Sequence, residues 1–303
     1  MTICVVLPVG GFDELLEPQL RAVLAQRVGQ PFTVVLSVNT GDRSACRAID
    51  DLVASVADER VRVVSSASLR SAAHARNVGL RAAPIDADVI AFCDSDDVVE
   101  HGWLGALADA LGPHAAVGGH LHDVYPASRQ AAWRPPATPG ALPSFLGVPY
   151  IVTASMAIRR NAFEAVNGFD TALVRCEDIA ISWALLRAGY TIGFAPDAVV
   201  QYRHRPGLWL LLRQHELYGQ GMSQVLTRYG VPTGDSWAAP RGAALLRPNG
   251  QPASRRTMVG TLRRGAIGVG RVHGLVSERV ARRRARADAP TPTPTPTPTR
   301  AAS

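Results

Sequence analysis

The sequence predicts an α/β fold with a doubly wound, mostly parallel sheet, and three observations carry that prediction. Short, nearly continuous apolar runs recur at Ile3–Val9, Phe32–Val38, Val61–Val64 and Val89–Cys93. The segments between them carry apolar residues at helical spacing, as in Leu15, Leu16, Leu20, Val23 and Leu24. No run is confined to one face by strict alternation, so the strands are buried on both sides and the helices cover them.

Taken in order, the first run leads through a polar turn into a helix ending near Leu24. The second run is followed by a helix around Ala45–Val56, the third by a helix over Ala72–Ala82, and the fourth by a helix over Trp103–Leu111. From Pro126 to Pro149 the chain is rich in Pro and Gly and reads as loop. Regular structure resumes at Ile151–Ile158, then a short helix Arg160–Val166, a turn Asn167–Asp170 and a helix Ile179–Ala188 with Gly189 as its C-cap. Strands at Thr191–Phe194 and Pro196–Val200 and a helical pattern over 208–229 complete the body. Beyond Pro232 the chain is irregular, then basic, and Pro290–Thr299 alternates Thr and Pro, which fits only extended chain.

The chain has 303 residues and a net charge of +7, with no Lys. Between Arg255 and Ala287 ten Arg face one acid, Glu278, a local charge of +9, so the rest of the chain sums to −2. The body is therefore no polycation, and nucleic acid is not an expected partner. The apolar runs are far shorter than the roughly 20 residues needed to span a bilayer. The N-terminus lacks the basic start and small-residue cleavage site of a secretory signal, so a cytoplasmic location is expected. The four Cys show no zinc-ligand spacing and are expected to be reduced thiols. No Gly-x-Gly-x-x-Gly follows the first strand, and a P-loop is excluded because its Lys is absent.

Three short motifs carry chemistry. Asp94-Ser95-Asp96-Asp97 follows the fourth strand directly, at the carboxyl end where α/β sheets bind ligands. Alternation would turn Asp94 and Asp96 the same way, towards one divalent cation and a diphosphate; Mg²⁺ or Mn²⁺ suits such oxygen ligands. A solvated acidic turn or a cap ahead of Trp103 is the plainer reading of this motif alone. Ala75-Arg76-Asn77-Val78-Gly79 offers a planar multi-donor cation suited to phosphate, beside an amide that both donates and accepts. Glu177-Asp178 precedes the helix Ile179–Ala188, where capping alone would favour carboxylates.

In this order, and with the turn Gly168-Phe169-Asp170 and the later Ala188-Gly189-Tyr190, these motifs resemble the family 2 glycosyltransferases with a GT-A fold, over roughly residues 1–230. The resemblance implies an inverting, metal-dependent glycosyltransferase that takes sugar from a nucleotide-diphosphate donor, most simply a UDP-sugar. It implies a nucleotide-sugar-binding half over 1–100 and an acceptor half over 101–230; beyond the resemblance, composition gives an irregular to basic extension over 231–287, with a helix as one reading of it, and a disordered Thr-Pro tail over 288–303. Asp94 and Asp96 match the family's Asp-x-Asp, which holds the metal and contacts ribose and diphosphate, with Ser95 between them. Asp178 matches the general base, and Glu177 faces the acceptor. Pro8 closes the first strand as in the family, but Val9-Gly10-Gly11-Phe12 follows it in place of a Tyr-Asn-Glu-like turn. The second strand ends without the usual acids, leaving Asn39 or Asp42 to meet the nucleobase and ribose, and Arg76 and Asn77 also belong to the donor side. His204 stands for the family's late His at the metal, flanked by Arg203 and Arg205 as positive charge for the diphosphate. Arg213–Gly219 resembles the helix that closes the family's active site. The implied acceptor is a glycan or lipid-linked molecule of cell-surface polysaccharide or glycolipid synthesis. The Arg-rich segment 255–287 would bring the protein to an anionic membrane surface, peripherally on the inner face of the plasma membrane. The same residues also fit a catalytically silent GT-A-like binding or scaffold subunit, or a nucleotidyltransferase.

Overall fold

The computed structural model describes residues 1–133, 140–229 and 258–287. The irregular stretch after Pro232 and the Thr-Pro tail lie outside them. In chain order the elements are β1 (Thr2–Val9), α1 (Leu16–Leu24), β2 (Phe32–Val38), α2 (Arg43–Val56), β3 (Val61–Ser65), α3 (Ala72–Ala82), β4 (Ala87–Cys93), β5 (Val98–Val99), α4 (Trp103–Leu111) and β6 (Ala116–Val124). There follow α5 (Ser128–Ala131), β7 (Ser144–Phe145), β8 (Val148–Pro149), β9 (Ser155–Arg159), α6 (Arg160–Ala165), α7 (Glu177–Arg187), β10 (Ile192–Arg203), α8 (Leu208–Arg228) and α9 (Met258–Ala287).

One sheet of eight strands, in the order β3-β2-β1-β4-β9-β6-β10-β5, forms the centre. The first four strands are parallel, with Val5 opposite Val34 on β2 and Ala91 on β4. β9 runs antiparallel between β4 and β6, β6 and β10 are parallel, and β5 pairs antiparallel with the end of β10. Alternation along β1 sends Ile3, Val5 and Leu7 into one core, with residues of α1, α2 and α4, and Cys4 and Val6 into the other, with residues of α3, α6 and α7. Both faces of the sheet are thus covered, as the apolar runs predict. On α3, Gly79 sets the approach to the sheet: a Cβ there would stand 2.3 Å from Val6 Cγ1.

The structure refines the sequence reading at several places. β6 has no apolar run to announce it, because Gly118 and Gly119 occupy its middle; a Cβ on Gly119 would lie 2.1 Å from Ser155 Oγ and 2.3 Å from the Ala198 carbonyl oxygen. The two short strands expected at Thr191–Phe194 and Pro196–Val200 are one strand, β10, whose register against β6 shifts between Ala195 and Val199, around Pro196. The Pro126–Pro149 loop contains α5 and the β7–β8 hairpin. The basic extension, for which a helix is one of the sequence readings, is a helix from Met258 onward and packs on α8.

Candidate active site

The carboxyl ends of β1, β2 and β4 and the end of β10 surround a cleft of about 730 Å³, within the range of pockets that hold a drug-sized ligand. Pro8, Asn39, Arg76, Asp94, Ser95, Asp96, Glu177, Asp178, Arg203, His204 and Arg205 all line it. Two expected site residues lie elsewhere. Asp42 caps α2, accepting from the Ser44 and Ala45 amides at 2.8 and 3.4 Å. Asn77 clamps the turn after α6, donating to the Phe169 carbonyl at 2.8 Å and accepting from the Phe169 amide at 3.0 Å.

β4 ends at Cys93, so Asp94–Asp97 is a turn rather than a continuation of the strand, and Asp94 and Asp96 converge through turn geometry instead of alternation. Ligand oxygens of Asp94, Asp96 and Asp97 all lie within 4.8 Å of one another. Gln19, fully buried on α1, staples the turn: its Nε2 donates to the Asp94 carbonyl at 2.8 Å and its Oε1 accepts from the Val99 amide at 2.9 Å. Asp97 Oδ1 accepts from the Arg203 amide at 2.7 Å, and its Oδ2, also buried, has no hydrogen-bond partner among the described residues. Burial, followed by the Asp94 charge, raises the Asp96 carboxyl and pushes that of Asp97 up to about 8. Crowded hard oxygen donors, one of them orphaned, fit a divalent cation of the Mg²⁺ or Mn²⁺ type.

Arg76, almost fully buried on α3, reaches Asp94 Oδ1 with one terminal nitrogen at 2.6 Å and Glu177 Oε1 with the other at 2.7 Å. Its charge is therefore shared between two carboxylates. Arg205, more exposed, lies 3.8 Å from Asp96 Oδ2. His204 stands outside the carboxylate cluster: its Nε2 is 2.9 Å from Asp123 Oδ1, and its ring stacks on Tyr125 at 4.6 Å. The Asn39 amide fastens the loop after β3, donating to the Leu69 carbonyl at 2.8 Å and accepting from the Ser71 amide at 3.0 Å.

Cys176, with φ of +68°, turns the chain so that α7 begins at Glu177. Asp178 Oδ1 accepts from the Ile179 amide at 2.8 Å. Burial, followed by the neighbouring Glu177 charge, pushes the Asp178 carboxyl up to about 7, the range suited to a general base near neutral pH. Gly221 of α8 lets this corner close, since a Cβ there would stand 2.3 Å from the Arg175 carbonyl oxygen. Tyr150 and Tyr218 complete this end of the cleft, and Tyr218 Oη accepts from Gln214 Nε2 at 2.8 Å. Burial, with Asp178 next in weight, raises both phenols, so they remain hydrogen-bond donors. The roles of Gln19 and Tyr150 carry no local sequence signal, whereas Tyr218 falls in the Arg213–Gly219 stretch that resembles the family's closing helix.

Residues 3–216 match the family described as Glycosyltransferase like family 2. The chain is 29% identical over 209 residues to the pre-mycofactocin glycosyltransferase of Mycobacterium tuberculosis, covering 62% of this chain and 42% of the relative. It thus spans less than half the length of that relative. Among solved structures, it is similar to the mannosyltransferase PcManGT from Pyrobaculum calidifontis in complex with GDP-Man and Mn²⁺, at TM-score 0.59 and 17% identity, covering 96% of this chain and 76% of that one. It is also similar to GalNAc-T7 with UDP, GalNAc and Mn²⁺, at TM-score 0.60 and 14% identity, covering 88% and 54%. At these identities the likeness establishes the fold, which is that of the GT-A glycosyltransferases. With the family matched from β1 into α8, the chain belongs to glycosyltransferase family 2.

Proposed function

We propose that the protein transfers a sugar from a nucleotide-diphosphate donor to an acceptor hydroxyl, inverting the anomeric carbon. The observation that carries this reading is the presence of two carboxylate sites in one cleft: the crowded Asp94, Asp96 and Asp97 after β4, and Asp178 at the start of α7. An inverting displacement needs both, one where the diphosphate leaves and one where the acceptor loses its proton.

Asp178 takes the proton of the acceptor hydroxyl as its oxygen bonds to the anomeric carbon. The bond to the diphosphate oxygen breaks at the same carbon, and the electron pair leaves with the diphosphate. Arg203 and Arg205 offer positive charge on that side, while Arg76 holds Asp94 and Glu177 in place. Asp94 and Asp96, with Asp97 beside them, would hold Mn²⁺ or Mg²⁺, which when bound neutralises the departing diphosphate. Pro8, Asn39 and Ser95 border the donor side; Glu177, Tyr150 and Tyr218 border the acceptor side. A UDP-sugar is the donor proposed from the family resemblance. The acceptor proposed is a glycan or lipid-linked molecule of surface polysaccharide or glycolipid synthesis, met on the cytoplasmic side.

Calorimetry with Mn²⁺ and a panel of nucleotide sugars tests this. One donor is expected to bind wild type and to lose binding in Asp96→Ala; binding of no donor by wild type would overturn the proposal.

A further inference from the structure

The helix α9 presents two unlike faces. Towards the body, Gly270 and Gly274 lie against the backbone of α8: a Cβ at Gly270 would stand 1.8 Å from the Glu216 carbonyl oxygen, and one at Gly274 2.5 Å from that of Gln220. Gly219 of α8 returns the contact, since its Cβ would lie 2.1 Å from the Ile267 carbonyl oxygen. Further along both helices Glu278, the one acid in α9, is buried and pairs with Arg228 at 3.2 Å. The contacts advance in the same direction on both helices, so α8 and α9 run parallel with their N-terminal ends side by side.

The outward face is apolar. Met258, Leu262, Val269, Val272, Val276 and Val280 are 43 to 75% exposed. At 100° per residue they fall within an arc of about 80°, a stripe roughly 33 Å long. Arg264, Arg279 and Arg283 are exposed on the same helix, and the sequence continues basic through Arg286. At the adjoining start of α8, Trp209 is 75% and Leu210 43% exposed.

We infer that this face docks on an anionic lipid bilayer, with α9 lying in the plane of the interface and Trp209 beside its N-terminal end. An apolar stripe with Arg279 along its edge and Arg283 following Val280 at its C-terminal end, and with the helix's only acid turned inward and paired, has the chemistry of a helix seated at the boundary of headgroups and acyl chains. A Trp at the rim suits that boundary. No helix among the described residues is long and apolar enough to cross a membrane, so the helix lies on the bilayer. A second copy would set arginines against arginines, and a nucleic acid would meet Val and Leu where it needs cations. Gln214, Tyr218 and Met222 face the cleft from α8, whereas Glu216 and Gln220 meet α9. The residues alternate round the helix, so α8 separates the cleft from the docked face and fixes their relative orientation.

The surface stands independently of the transfer reading, and vesicle binding is measured without donor or acceptor. Full-length protein is sedimented with phosphatidylcholine vesicles, with and without phosphatidylglycerol. Wild type is expected to bind only the anionic vesicles. The double variant Val272→Asp, Val276→Asp is expected to lose about tenfold in binding, and Arg279→Gln, Arg283→Gln roughly fivefold per Arg. Trp209→Ala, outside α9, serves as a second variant and is expected to weaken binding with unchanged thermal unfolding. No binding of wild type to anionic vesicles would overturn the inference, as would equal binding by wild type and the Val variant. A wild-type dimer in sedimentation velocity that the Val variant converts to monomer would assign the stripe to a second copy and equally overturn it.

Discussion

Arg76 and Glu177, 101 residues apart in sequence, are joined by a 2.7 Å ion pair, while the other arm of the same guanidinium holds Asp94 at 2.6 Å. One buried cation thereby ties the corner that carries the carboxylate turn to the corner that carries Asp178. Removing it leaves two carboxylates uncompensated in a poorly solvated place. Arg76→Ala is expected to destabilise the protein by about 3–5 kcal/mol in urea unfolding. Arg76→Lys should recover little of this, because a single ammonium cannot reproduce two parallel arms. Wild-type stability in either variant would show that the two carboxylates do not depend on the bridge.

Asp178 gives a pH prediction with a definite sign. Its carboxyl, held at about 7 against the ordinary 3.8, keeps its proton in the folded state where the unfolded chain has already released it. Stability from this group therefore falls as pH rises from about 4 through 7. Asp178→Asn should raise stability above pH 7, by about 1–3 kcal/mol, while transfer falls by roughly 10² to 10⁴. The wild-type kcat/KM should climb through about pH 7 as the base deprotonates. Opposite movement of stability and activity, followed by thermal unfolding and product formation across pH 5–9, is the expected signature.

The acidic turn should show a similar opposition. Asp97 is buried against Asp94 and Asp96, and its Oδ2 lacks a partner among the described residues. Asp97→Asn can keep the bond from the Arg203 amide through its Oδ1 while removing a carboxyl that the fold holds protonated up to about pH 8 and the unfolded chain ionises. The metal-free protein should gain stability of about 1 kcal/mol, and the thermal stabilisation produced by added Mn²⁺ should shrink. Thermal melts with EDTA and with excess Mn²⁺ measure both changes. An unchanged response to Mn²⁺ would place the cation away from Asp97.

How much of this was legible in the sequence depends on whether the signal is local. Apolar runs located β1 to β4 within two residues, because strands buried on both faces have no other composition open to them. The acids at 94–97 and 177–178 stood out because each cluster is contiguous. β6 was invisible, because its glycines serve contacts with β9 and β10 that no local pattern records. Asn77 and Asp42 sit at informative positions but are engaged in clamping and capping, a distinction that rests on partners at Phe169 and Ser44. Gln19 is the reverse case: an unremarkable residue on α1 that holds the turn 75 residues away.

The glycines of α9 separate two explanations that composition leaves equal. In an isolated helix every glycine costs stability relative to alanine, so a segment with so many would be expected to fray. Where the helix is packed, the same residues are required by the distance to the neighbouring backbone. Gly265 and Gly268 have nothing within 4 Å of a Cβ, whereas Gly270 would place one 1.8 Å from the Glu216 carbonyl oxygen, a backbone atom that cannot swing aside. Gly265→Ala and Gly268→Ala should therefore stabilise the helix by about 0.5–1 kcal/mol each. Gly270→Ala should destabilise by about 1–3 kcal/mol through overpacking, and should also lower transfer, since Gln214 and Tyr218 on the other side of α8 line the cleft. Urea unfolding of the three variants decides the matter: if all three stabilise, α9 is an undocked helix; if only the third destabilises, α9 holds α8, and through it the wall of the cleft, in place.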